Sequence, residues 1–108
     1  MNYWIIPGVT TKRELEADTI INVVSRVTGI KAVDIKGRQR IQDVVDARYL
    51  CFYILRRKTN LSHKKIGAIF NKHHSTVIHG VATINDLRCI DKAIKRLLIK
   101  ITDGVENL

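Results

Sequence analysis

Proline occurs once in this chain, at Pro7, and glycine only six times in 108 residues. That scarcity argues against an all-β sandwich, whose many turns need both. Aromatics are 6% of the residues while the hydrophobic share is 45%. A core must therefore be filled with Ile, Val and Leu, which suits a helical bundle. No run approaches the roughly 20 apolar residues of a membrane span. The opening "MNYWIIPGVT" has no positive n-region, and its apolar run is too short for a secretory signal. A cytoplasmic setting follows as the expectation. Only two cysteines are present, Cys51 and Cys89. They form no C-x-x-C pair and lie in apolar helical patterns, so two buried free thiols are expected. The four histidines and the cysteines match no zinc spacing. The carboxylates show no catalytic arrangement, and no serine motif marks a nucleophile. Neither metal, cofactor nor enzymatic activity is expected.

Acidic residues are the other shortage. Lys and Arg number 19 against 10 acids, a net charge of +9. A small domain with such an excess commonly meets a polyanion, because neutralising phosphates releases their counterions. The length suits one domain with a modest core that needs no disulfide or metal.

The apolar pattern resolves into helices. Thr11 and Glu14 fit a capping box for a first helix, with Leu15, Ile20, Val23, Val24 and Val27 at helical spacing and Gly29 as its stop. "KAVDIKG" reads as a short helical turn ended by Gly37. A long, heavily buried helix is predicted from Gln42 to Arg57. Asp43 and Asp46 lie near its start and Arg56-Arg57-Lys58 close it, as the helix dipole favours. Ser62 caps a short helix carrying Ile66, Ile69 and Phe70. A polar break, Asn71-Lys72-His73, separates it from a helix starting at His74 or Ser75 and ending near Arg88. The last helix is expected from Asp91 to Thr102, with Gly104 ending it and "VENL" frayed. The expected organisation is an extension over residues 1–10, a domain over 11–104 and a tail over 105–108.

A short helix, a tight turn and a longer helix make a helix-turn-helix candidate. On a 100° wheel, Val77, Val81 and Ile84 share one stripe, flanked by Gly80 and Ile78. Ser75, Thr76, His79 and Thr83 share the opposite side. The outward face near the start of this helix is neutral to cationic and rich in short hydrogen-bonding groups. Such a helix can enter a major groove, where its first residues reach base edges and its free N–H groups attract phosphate. Gly80 would let a neighbouring helix come close.

"IGAIFNKHHSTVIHGVATI" resembles the signature of the C-terminal DNA-binding domain of DnaA, the bacterial replication initiator, approximately I-G-x-x-F-(G)-x-R-D-H-T/S-T-V-x-H-A-x-x-x-I. Ile66, Gly67, Phe70, His74, Ser75, Thr76, Val77, His79 and Ile84 match. The likeness extends to "IINVVSRVTGIKAVDIKGRQR" and "ARYLCFYILRRKTNLSHKKIG", covering residues from about 17 to 102. It implies an all-α bundle of the Trp-repressor and DnaA domain IV kind, with double-stranded DNA as partner. It implies that Arg48 reaches into a minor groove and that His73, His74 and Ser75, beside Lys72, read the adjacent major groove. Thr76 and His79 would contact the phosphate backbone, with Ser62 and Lys64 at the start of the preceding helix and Arg38 and Arg40 in the family's basic loop. Three positions depart from the family. Lys72 stands for an arginine, so a planar fork becomes a point charge. His73 stands for the acidic base-reader, and Gly80 for an alanine.

No G-x-x-x-x-G-K-[ST] phosphate loop is present. The expectation is a free-standing DNA-binding domain with a short N-terminal extension, or else an excised fragment, serving replication control or transcription on a bacterial nucleoid, a phage or a plasmid. Trp4, Ile5 and Ile6 are expected either to fold back on the bundle or to meet a partner or a second copy. The competing function is a basic helical adaptor that binds protein and reads no bases.

Overall fold

The computed structural model describes residues 12–107, with side chains from Glu16 onward. Among these residues there are six α-helices and no strand: α1 (Lys12–Thr28), α2 (Ala32–Ile35), α3 (Gln42–Lys58), α4 (His63–Phe70), α5 (His74–Ile90) and α6 (Lys92–Glu106). The Thr11 capping box and the Trp4-Ile5-Ile6 run lie outside the described residues.

The helix ends follow local chemistry. Gly29 takes φ +78°, the left-handed conformation that stops α1, and its N–H donates to Ser25 O at 2.8 Å. Ser62 Oγ accepts from Lys65 N at 3.2 Å and starts α4. Asp91 caps α6 by accepting from Ala93 N at 2.9 Å and Ile94 N at 3.1 Å. Asp43 in the first turn of α3 and Arg56, Arg57 and Lys58 in the last complement its dipole.

Helix α3 is the axis of the molecule. Leu50 to Leu55 are all buried, and it packs against α1, α2, α4 and α5. Phe52 meets Phe70 of α4 edge to face, with centroids 4.9 Å apart. Val77 and Ile84 of α5, Ile94 and Ile101 of α6, and Ile21 and Val24 of α1 complete the core. Each fully buried aliphatic or aromatic side chain contributes on the order of 1.5–3 kcal/mol through removal from water. The core is aliphatic around two phenylalanines, as the composition required.

Two close approaches use glycine. A Cβ on Gly80 would stand 2.8 Å from ring atoms of both Tyr49 and Phe52, so α5 lies directly on the rings of α3. A Cβ on Gly104 would stand 2.8 Å from Val23 Cγ1. The latter corrects the expected end of α6. Gly104 is where α1 and α6 touch, and the helix continues to Glu106 with Val105 half-buried. Cys89 is a second correction. It is exposed, because α5 outruns the core: Arg88, Cys89 and Ile90 all face solvent, Ile90 at 79%. Cys51 is buried as expected, and burial pushes its thiol far above the ordinary cysteine range. Ile78, at the flank of the buried stripe, is 46% exposed.

Candidate nucleic-acid interface

The turn between α4 and α5 is closed by backbone. Asn71 adopts φ 53°, which asparagine tolerates better than most residues. Asn71 N donates to Ala68 O at 3.3 Å, and Lys72 N to Gly67 O at 2.8 Å. A Cβ on Gly67 would lie 2.5 Å from the Lys72 carbonyl oxygen, so glycine is required for α5 to leave α4 at this angle.

Helix α5 begins with His73 as its cap. The ring nitrogen Nδ1 accepts from Ser75 N at 3.2 Å and lies 2.7 Å from Ser75 Oγ. The His73 and His74 rings lie over one another, with centroids 4.2 Å apart and 33° between planes. His73, His74 and Ser75 are exposed, and Thr76 is half-buried with its N–H donating to His73 O at 3.0 Å. One turn on, exposed His79 has its ring edge against Tyr49 of α3, 5.8 Å centroid to centroid. Sequence reasoning missed Tyr49 as the side chain that steadies His79.

Three other segments meet this end of α5. Ser62 and Lys64 are exposed at the start of α4. His63 is close enough to His74 and Arg56 for both to act on it, and burial with those two neighbours lowers its pKa. Lys72 is half-buried at the corner. Its ammonium is held below the ordinary lysine range by desolvation first, then by repulsion from Arg48, Arg38 and Arg40. The loop between α2 and α3, the middle of α3 and the turn thus converge, although they are distant in sequence. Among the described residues, neither Lys72 nor Arg38 nor Arg40 has a carboxylate within ion-pair distance; the ion pairs are Lys36–Asp18 and Lys58–Glu106.

Arg48 lies against the loop that follows α2. It is 4% exposed, and its guanidinium is turned into the loop that follows α2. Nε donates to Ile35 O at 2.7 Å, while one terminal nitrogen faces Gly37 O at 3.0 Å, Gln39 O at 3.1 Å and Asp34 O at 3.2 Å. They are carbonyls of the stretch where a four-residue helix ends and a loop begins, and Asp34 O also accepts from Gly37 N at 3.0 Å. Arg48 thereby organises the loop bearing Arg38 and Arg40. The physical reason is that a helix this short leaves several acceptors, and a planar fork satisfies them from one side.

The basic end of α3 is also occupied internally. Arg56 Nη1 donates to Leu61 O at 3.3 Å, Arg57 lies over the Tyr53 ring at 5.5 Å, and Lys58 pairs with Glu106 at 3.2 Å. No cluster of three potential metal ligands occurs among the described residues. No helix there is long and apolar enough to cross a membrane.

A capped recognition-type helix at a tight corner, ringed by cations and set on a buried scaffold helix, defines an all-α helix-turn-helix domain. The family described as bacterial DnaA protein helix-turn-helix matches residues 17–84, and the chain belongs to that family. A chromosomal replication initiator protein DnaA from Gloeobacter violaceus is 33% identical over 103 residues, covering 94% of this chain and 23% of its own length. The protein of that name from Kosmotoga olearia is 42% identical over 76 residues, covering 70% of this chain and 17% of its own. The protein named DnaA 2 from Chlamydia pneumoniae is 36% identical over 86 residues, covering 80% and 19%. The chain therefore spans about a fifth of the length of the curated relatives it matches.

Proposed function

We propose that this domain binds double-stranded DNA sequence-specifically and acts in the initiation of replication or its control. The observation that carries this reading is the crowding at Lys72. Lys72 is half-buried at the corner, and Arg48, Arg38 and Arg40 stand near enough to repel its ammonium, a concentration of positive charge that an anion relieves. Phosphate supplies that anion, and the relatives named replication initiators give the setting. In this reading Lys72, His73, His74 and Ser75 face the major groove. Thr76, His79, Ser62 and Lys64 hold phosphates on either side, and Arg38 and Arg40 hold the neighbouring backbone. Arg48 acts from behind, as a positioning residue for the loop. Recognition is by placed hydrogen bonds and charge, with no bond made or broken.

The test is selection from a random duplex library, followed by titration of the chosen site at several salt concentrations. Affinity should fall steeply with salt, and Lys72→Gln should reduce the slope of log K against log salt by about one unit. Ser75→Ala should weaken the selected site by about 1–3 kcal/mol while leaving random duplex unaffected. A protein that enriches no sequence, and whose weak binding ignores Ser75, is a basic adaptor rather than a reader of bases.

A further inference from the structure

We infer that His73 reads a hydrogen-bond acceptor on a base edge, so that guanine is favoured and cytosine disfavoured at the base it faces. The inference rests on the DNA-binding reading above and concerns the polarity of one contact within it.

The Ser75 N–H is one of the orphan donors of the first turn of α5, and it is directed at His73 Nδ1 at 3.2 Å. An amide N–H can only donate, so Nδ1 must present a lone pair. The Ser75 hydroxyl lies 2.7 Å from the same nitrogen, and with a lone pair there its O–H donates as well. A ring that accepts at Nδ1 in this cap carries its N–H on Nε2. The stacked His74 ring, 4.2 Å away, restricts rotation of the imidazole plane. The exposed start of α5 thus presents a fixed pair of opposite sense. His73 Nε2–H is a donor, and Ser75 Oγ, its hydrogen already engaged, is an acceptor.

In the major groove guanine offers N7 and O6, thymine offers O4, and cytosine offers only its N4 amino group. A single N–H donor is best satisfied by the two acceptors of guanine, accepted by thymine O4 or adenine N7, and left facing another donor by cytosine. An aspartate at this position could cap the helix equally well but would present acceptors only, inverting the preference. The cap and the base reading are separable, because one nitrogen performs the first and the other performs the second.

The experiment is parallel selection from a random duplex library with the parent chain and His73→Asp, with a long-range proton–nitrogen NMR correlation on the histidine rings of the free protein. The expected result is guanine at one position for the parent, cytosine at that position for His73→Asp, other positions unchanged, and the Nε2–H tautomer at His73. Selection of a common sequence by both proteins overturns the inference and leaves the DNA-binding reading intact. The Nδ1–H tautomer in the spectrum does the same without DNA. If the parent selects no sequence, base reading itself fails and takes the inference with it.

Discussion

Replacing Arg48 with methionine separates a residue that organises the fold from one that touches DNA. Methionine keeps most of the unbranched stem in its buried channel and removes the guanidinium. Four carbonyl oxygens lose the guanidinium, at Asp34, Ile35, Gly37 and Gln39, although Asp34 O keeps the Gly37 N–H at 3.0 Å. Nε has one hydrogen and the terminal nitrogen two, so at most three bonds are fully formed. At about 1–1.5 kcal/mol each, their loss costs roughly 3–4.5 kcal/mol. Part is recovered, because a guanidinium no longer has to be desolvated, the burden that lowers the pKa of Arg48. The net expectation is a destabilisation of about 2–4 kcal/mol, a large share of the 5–15 kcal/mol typical of a small domain. Arg48→Lys should fall between, since one ammonium cannot span carbonyls that the planar fork reaches. The assay is urea unfolding followed by far-UV circular dichroism, with DNA affinity measured where each variant is fully folded. DNA binding should weaken mainly through disorder of the loop carrying Arg38 and Arg40. An Arg48→Met protein that unfolds at the parental urea midpoint, yet has lost DNA affinity, would refute the positioning role and return the guanidinium to the groove.

Gly67→Ala should destabilise by about 1–3 kcal/mol, because the added methyl meets the fixed Lys72 carbonyl rather than a side chain that can yield; thermal unfolding measures it. His63 titrates below its ordinary value of 6.5 in the folded protein because of burial, Arg56 and His74. As pH falls below 6.5, the unfolded chain takes up a proton that the folded chain resists. Stability should therefore decline in that window and be unaffected above it, and His63→Gln should flatten the profile. Alkylation of the native protein by iodoacetamide should modify Cys89 and spare Cys51 until urea opens the core, read by intact mass and peptide mapping.

What the sequence made legible was whatever repeats along a helix or sits at its ends. The bounds of α3 and α5, the Ser62 cap, the left-handed stop at Gly29 and the close approach at Gly80 follow from periodicity, capping chemistry and the absence of a Cβ. What escaped was decided across the fold. Arg48 has the same letter whether it points to solvent or to carbonyls, and only the packing of α2 against α3 brings those carbonyls within reach. Gly104 reads as a stop because glycine usually is one, but Val23 gives it a different use. Cys89 shares the apolar spacing of α5, and spacing cannot reveal that the helix extends past the core. The residues of the corner were readable as a group from their motif. The convergence of Lys72 with Arg38 and Arg40 needed the three-dimensional arrangement.

The contact of Gly80 with Tyr49 and Phe52 bears on how exchangeable these domains are. His74 precedes Gly80 by six residues, roughly 9 Å along the axis. The bare backbone at 80 is thus a fulcrum for the reading end of α5. An alanine-bearing relative must seat its helix farther out or use smaller partners at positions 49 and 52. Transplanting residues 71–79 alone would move the recognition letters without the tilt at which they meet the double helix. A faithful graft has to carry the glycine and its two rings as well.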